Sequence, residues 1–259
     1  MNTRQPAVSG LFYPNDAREL ASEVDALLRQ EHREVVPNLR ALIVPHAGYI
    51  YSGSVAAAAF SCISSEAQFK YILLIGPSHR VAFQGMAVPL ADQFRTPLGN
   101  ISIAADRVSD LVDKGFVSYN DLAHTQEHSL EVQLPFIQQI DIQADLIPVV
   151  VGNATASDVG RLILPSLQDS EVLTVISTDL SHYHPYVKAK LIDENTNKRI
   201  IDGDTDIRGD EACGYMGLNG LLWALASTNL KPYLLQCCNS GDSAGDKARV
   251  VGYGAYAIY

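Results

Sequence analysis

Apolar and polar positions fall in blocks along this chain. Four short runs, ALIVP at 41–45, YILLIG at 71–76, LIPVVVG at 146–152 and VLTVIS at 172–177, are almost wholly apolar and end abruptly in polar residues or glycine. Such β-branched runs read as strands buried on both faces. Helical periodicity fills the spaces between them, at 54–60, 129–140, 157–167, 186–201 and 217–228. An earlier helix spans about 16–30, where Asn15 or Asp16 caps and Leu20, Val24, Leu27 and Leu28 recur on one face. Strand and helix alternate, so the sheet is largely parallel. GMAVPL at 85–90, TPLGNISI at 96–103, KPYLLQCC at 231–238 and VVGYGAYAIY at 250–259 read as strands with no helix between close neighbours, which adds antiparallel edges. The expected fold is α/β: a mixed, mostly parallel central sheet flanked by helices, in one domain over residues 1–259. The acidic stretch 202–211 reads as a loop.

Composition supports one large core, with 259 residues of which 47% are hydrophobic and 19% charged. The start MNTRQPAVSG has no apolar h-region, and no run approaches the roughly 18 apolar residues of a membrane span. A soluble, cytoplasmic chain is the expectation. A net charge of −10 makes nucleic acid and anionic membranes unfavourable partners. Cys62, Cys213, Cys237 and Cys238 contain no CxxC pair, a pattern suited to a reducing compartment.

Ligands of an open α/β sheet bind beyond the carboxyl ends of its strands. Three apolar runs lead straight into histidine there: ALIVP into His46, YILLIG into PSHR with His79, and VLTVIS into TDLSHYH with Asp179, His182 and His184. Each taken singly reads as a hydrogen-bonded strand-end residue. Together, on one rim, they suggest a shared metal or catalytic site, since neutral imidazole is a common ligand for Fe, Cu, Zn and Ni. Cys213 precedes the helical stretch near Gly217, where the dipole and a bound cation favour thiolate; a small buried hydrophobe is the other reading. Cys237 and Cys238 lie in an apolar run and read as structural.

In HTQEHSLEVQLPFIQQI, His124, Glu127, His128 and Glu131 lie three and four apart and would share a helical face if the helix began early. The same letters describe a helix start, with Ser129 capping and the two glutamates meeting the dipole. Glu127 and His128 are candidates for orienting ligands or moving protons, and the order is not HExxH. The glycine-rich stretches at 47–60 and 239–254 match neither the P-loop nor the dinucleotide fingerprint. Asp242 and Asp246 in the second could approach the rim, with a solvated turn as the preferred reading.

The blocks AVSGLFYP, PHAGYIYSG, LLIGPSHR, TPLG, EHSLEVQLPF, TDLSHY, the pair Cys213–Gly214 and GDKARVVGYGAY, in that order from residue 7 onward, resemble the Memo family. The resemblance is to the type that accompanies a radical-SAM protein and an AMMECR-type protein (AmmeMemoRadiSam system protein B), which implies those two as partners. It implies a fold similar to the class III extradiol dioxygenases, nonheme iron enzymes of the protocatechuate 4,5-dioxygenase type. The family's metal ligands map onto His46, His79 and Cys213, and the dioxygenases' catalytic histidine onto His182, with Asp179 beside it. Fe(II) or Cu is the implied cofactor, and Zn suits the same donors. The family's human member is associated with phosphotyrosine-peptide binding and with iron or copper. A thiolate stands where the dioxygenases have a carboxylate, so ring cleavage is not expected. The expected function is a metal-binding redox protein of unknown substrate, a nonheme metal-dependent enzyme being one form of it. The rivals are a non-catalytic module holding a peptide or phosphate-bearing ligand in the same pocket, and an accessory to a radical-SAM partner.

Overall fold

The computed structural model describes residues 2–31, 34–140 and 142–259. Its first half runs β1 (Thr3–Arg4), α1 (Ala17–Gln30), β2 (Ala41–Val44), α2 (Tyr49–Phe60), β3 (Tyr71–Pro77), β4 (Met86–Val88), β5 (Gln93–Thr96), β6 (Gly99–Ser102), α3 (Ala105–Asp113), β7 (Ser118–Tyr119) and α4 (Asp121–Thr125). Then follow α5 (Leu134–Gln139), β8 (Asp145–Val151), α6 (Ala156–Gln168), β9 (Val172–Ser177), β10 (His182–His184), α7 (Tyr186–Asp202), α8 (Tyr215–Leu225), β11 (Pro232–Asn239) and β12 (Val250–Ile258).

The main sheet has nine strands in the order β10-β12-β2-β9-β3-β8-β4-β7, with β11 also pairing β12. Its centre, β2-β9-β3-β8, is parallel. β12 joins β2 antiparallel and β4 joins β8 antiparallel, so the sheet is mixed as its sequence pattern predicts. The four central strands are buried over almost their whole length, which is why they carry no alternating polar face. One contiguous hydrophobic cluster runs through sheet and helices. No helix among the described residues is long and apolar enough to cross a membrane.

Local chemistry sets the helices. Asp16 caps α1 by accepting from the backbone N–H groups of Arg18 and Glu19, and Leu20 and Val24 face the core. Thr155 and Asp158 form a capping box at the start of α6. α6 and α8 cross at Gly160 and Gly220: a Cβ on the first would run into the Trp223 ring and one on the second into Val159. α2 begins at Tyr49, several residues before its periodic stretch, because the backbone N–H of Tyr49 is taken by Phe12 O at 2.8 Å. Residues 129–140 are not one helix. A 3-10 turn at Glu131–Gln133 leads into the short α5, and Ser129, expected as a cap, donates its hydroxyl to Pro77 O at 2.9 Å instead.

The N-terminal segment straps across the molecule and is fastened at Glu131. That carboxylate is fully buried, pairs with Arg4, and accepts from Ala7 N at 2.7 Å, Val8 N at 3.0 Å and the Tyr13 hydroxyl at 2.6 Å. β1 meanwhile pairs β5 in a separate three-stranded sheet, β1-β5-β6. The strap positions Leu11 and Phe12 at the carboxyl end of the main sheet, where the parallel strands stop at Val44, Ser177, Pro77 and Val151.

Candidate metal centre

Because β9 lies between β2 and β3, the residues after Val44, Ser177 and Pro77 emerge side by side. His46, Asp179 and His79 follow within two residues of those ends. The segment between α4 and the 3-10 turn, which is not helical, brings Glu127 and His128 onto the same rim. Among the described residues, His46, His79 and His128 form the one group whose ligand atoms all lie within 4.8 Å of one another. The rings of His46 and His79 meet edge to face with centroids 5.1 Å apart, and those of His79 and His128 stack at 4.7 Å.

Hydrogen bonds assign the donor nitrogens. The Ser177 hydroxyl donates to Ser129 O at 2.6 Å and therefore accepts at its other positions, from Gln133 Nε2 at 2.9 Å and from His46 Nδ1 at 2.9 Å. His46 thus carries its proton on Nδ1 and turns a bare Nε2 toward the rim. His79 Nδ1 donates to Glu127 Oε1 at 2.8 Å, so Nε2 is the nitrogen this ring turns toward the site. A second partner that holds the far ring nitrogen is the usual way a protein orients a ligating imidazole. Glu127 also accepts from the backbone N–H groups of His79 at 2.5 Å and of His128 and Ser129 at 2.9 Å. His128 Nδ1 is buried without a hydrogen-bond partner, 3.5 Å from Glu127 Oε1.

Cys213 stands on the same rim. Its sulfur is 3.2 Å from His46 Nε2 and accepts from the backbone N–H of Asp179 at 3.3 Å. Asp179 in turn accepts from the His46 backbone N–H at 2.7 Å, so it fixes main chain on both sides of the cluster. His182 lines the cleft above, together with Phe12, Arg80, Tyr183 and Arg249, in a cavity of about 760 Å³. The structure therefore brings together His46, His79, Cys213, Asp179, His182, Glu127 and His128. It does not bring in His124, which sits on α4 with Nε2 donating to Ala87 O at 3.0 Å, or His184 at the end of β10. Ser177, Gln133 and the two arginines carried no motif of their own. The one available signal for Ser177 was a polar residue ending an apolar run. Asp246 reaches the rim, the less preferred of its two readings, and lines the cleft.

Burial governs protonation here. It pushes His46 well below the ordinary imidazole value and, with His79 and Arg80 nearby, holds His128 at about 4. Burial raises the Asp179 carboxyl to about 7 and, with Asp179 adjacent, the Cys213 thiol to about 12. Burial also pushes Glu127 up, but hydrogen bonds from the His79 ring and backbone outweigh it and hold the carboxyl at about 2. Two neutral imidazoles beside an ionised carboxylate suit a cation.

Two expected outcomes follow from these groups. Glu127→Gln keeps the shape but weakens the acceptor that orients His79, so affinity for a divalent metal should fall about 10–100-fold; equal titration curves for variant and wild type would refute the orienting role. The second concerns pH. His124 and His128 titrate near 4 in the folded protein against 6.5 when unfolded, so between those values the unfolded chain binds more protons. Their stabilisation is whole above pH 6.5 and is lost as pH falls toward 4, on the order of 2–3 kcal/mol for each. Asp179, Asp193 and Glu23 work the other way, since burial raises each carboxyl, but burial lowers four histidines, His46, His124, His128 and His182. Urea midpoints of chelator-treated protein should drop between pH 7 and 4.5, and a flat series would contradict this balance.

Comparison with known proteins gives a consistent result. A profile described as Memo-like protein matches residues 4–257. A MEMO1 family protein of Aquifex aeolicus is 33% identical over 265 residues, covering 98% of each chain. One from Metallosphaera sedula is 32% identical over 276 residues, covering 96% of this chain and 97% of that one. The crystal structure of the uncharacterized protein JW3007 from Escherichia coli K12 superposes with a TM-score of 0.52 at 13% identity, over 85% of this chain and all of that one, a likeness of fold alone.

Proposed function

The chain belongs to the Memo-like protein family, and on that premise we propose that it is a metal-dependent enzyme acting in the cleft beyond β2, β9 and β3, with iron(II) or copper as its ion. The observation that carries this reading is that His46 and His79 are each fixed by a partner on Nδ1, which turns Nε2 toward the site, with His128, whose buried Nδ1 has no hydrogen-bond partner, beside them. These three imidazoles would hold the ion and Cys213 would stand next to it as a further donor. A bound iron or copper would supply Lewis-acid and one-electron chemistry, and imidazole donors accept zinc as well. Around it Glu127 orients His79, and Ser177 with Gln133 orients His46. Asp179, near 7, is poised to hold or release a proton at neutral pH, and His182 faces the same space as an acid or base. Phe12, whose ring lies 4.9 Å from that of His128, limits water at the cluster.

A second reading, a non-catalytic module for a peptide or phosphate-bearing ligand, draws support from Arg80 and Arg249. Among the described residues neither makes an ion pair, and Arg249 lies 5.0 Å from the Tyr183 ring at the cleft mouth. Anaerobic titration with Fe(II), Cu or Zn, followed by thermal unfolding, separates the readings by mass action. The enzyme reading expects the metals to raise the melting temperature, and a phosphopeptide effect with no metal effect would overturn it. Cys213→Ser reports on the sulfur. A ligating thiol must first lose a proton held near 12, so wild-type affinity should then climb about tenfold more per pH unit than that of the variant.

A further inference from the structure

A second cavity opens where β3 and β8 end. Its walls are held in place by the backbone. In the loop between β3 and β4, the Ser78 N–H donates to Val151 O at 3.0 Å and its hydroxyl to Val81 O at 2.6 Å, while Asn153 N donates to Phe83 O at 2.8 Å and Gly85 N to Asn153 O at 2.9 Å. Opposite stands the start of α8, tied by Gly214 N to the Thr178 hydroxyl at 2.8 Å and by Ala154 N to the Met216 sulfur at 3.5 Å. Between them lies about 490 Å³, inside the roughly 300–1,000 Å³ typical of ligand pockets, and the pinned loop keeps it preformed.

The lining is chemically unlike that of the metal cleft. None of its residues is charged, whereas the cleft has Arg80, Asp179, Asp246 and Arg249. Val81, Phe83, Val151 and Met216 make apolar walls. Asn153 Nδ2 donates to Gln84 Oε1 at 2.9 Å, which leaves Gln84 Nε2 as a donor and Asn153 Oδ1 as an acceptor at the mouth. Cys213 lines both cavities, so the chamber begins where the metal cleft ends.

The geometry points to this chamber as a second ligand subsite, one that takes an uncharged, mostly apolar group bearing a single amide-like or hydroxyl function, next to the metal cleft at Cys213. A carboxylate or phosphate would be desolvated there with no cation to meet it, which sets the specificity. The assignment goes beyond the metal reading and stands without it, because no histidine of the cluster lines the chamber.

Indole is a suitable probe and indole-3-acetate its charged counterpart. By ligand-observed NMR on the full chain, indole should bind saturably in the roughly millimolar range, and indole-3-acetate at least about tenfold more weakly. Val81→Trp should fill the space and weaken indole at least about tenfold; if that variant does not fold, Met216→Lys replaces it as the test. His79→Ala, which removes a metal donor, should leave indole binding unchanged. Absence of saturable binding, equal binding to Val81→Trp or Met216→Lys, or loss of binding in His79→Ala would overturn the assignment, the last by locating the probe in the metal cleft.

Discussion

A His79→Ala variant will bind Fe(II), Cu or Zn at least about a hundredfold more weakly than wild type, a larger loss than any change to an orienting residue. The imidazole is one of three whose ligand atoms lie within 4.8 Å of one another, and it is the one that Glu127 orients. Its removal deletes a donor and also leaves Glu127, ionised and nearly inaccessible, without its principal partner. The remaining carboxylate does not replace the donor, because its oxygens stay committed to the backbone N–H groups of residues 79, 128 and 129. His182→Ala serves as the control: His182 lines the cleft and is not among the three, so affinity should change little. Competition against a chromogenic chelator, with oxygen excluded, measures both, and comparable affinities for His79→Ala and wild type would remove His79 from the metal centre.

The second large effect is on stability. Glu131→Ala should destabilise the fold by roughly 3–5 kcal/mol, the range for breaking a buried ion pair by deleting one partner. The Arg4 guanidinium would remain buried, held by the carbonyls of His124 and Glu127 and the Phe94 ring, and the Tyr13 hydroxyl and the backbone N–H groups of Ala7 and Val8 would lose their acceptor. Most of that penalty belongs to the groups left behind. The strap from Arg4 to Tyr13 would loosen as a unit, taking Phe12 away from His128. Urea unfolding at pH 7 reads the change; a loss below about 1 kcal/mol would mean that water or another group satisfies the arginine.

The parallel strands were legible because a strand covered on both faces must be continuously apolar, and that run stops where the chain turns at the rim. For the same reason His46 and His79 could be picked out from position alone. His128 was harder to rank. Helical spacing was the natural frame for 124–131, yet residues 126–130 are not helical, and their convergence on His79 comes from one carboxylate, Glu127, gathering backbone N–H groups. Cys213, placed by resemblance around the same ion, lies against His46 but outside the group of three imidazoles. α3, α4, β5, β7 and β10 were not anticipated. Strands of two to four residues exist through pairing with distant partners, which no local pattern encodes: β10 pairs only a few residues of β12, and β7 only two of β4. Glu131 looked like a helix-start charge, and its role as the anchor of the N-terminal strap needs the tertiary structure.

Diffraction from anaerobically grown crystals, with anomalous data at the iron, copper and zinc edges, addresses the metal centre most directly. One peak is expected at about 2.0–2.2 Å from Nε2 of His46 and of His79, with His128 completing the set. A peak elsewhere, beside Cys237 and Cys238 or at His124, or a fully metal-supplemented crystal with no peak at the rim, would contradict it.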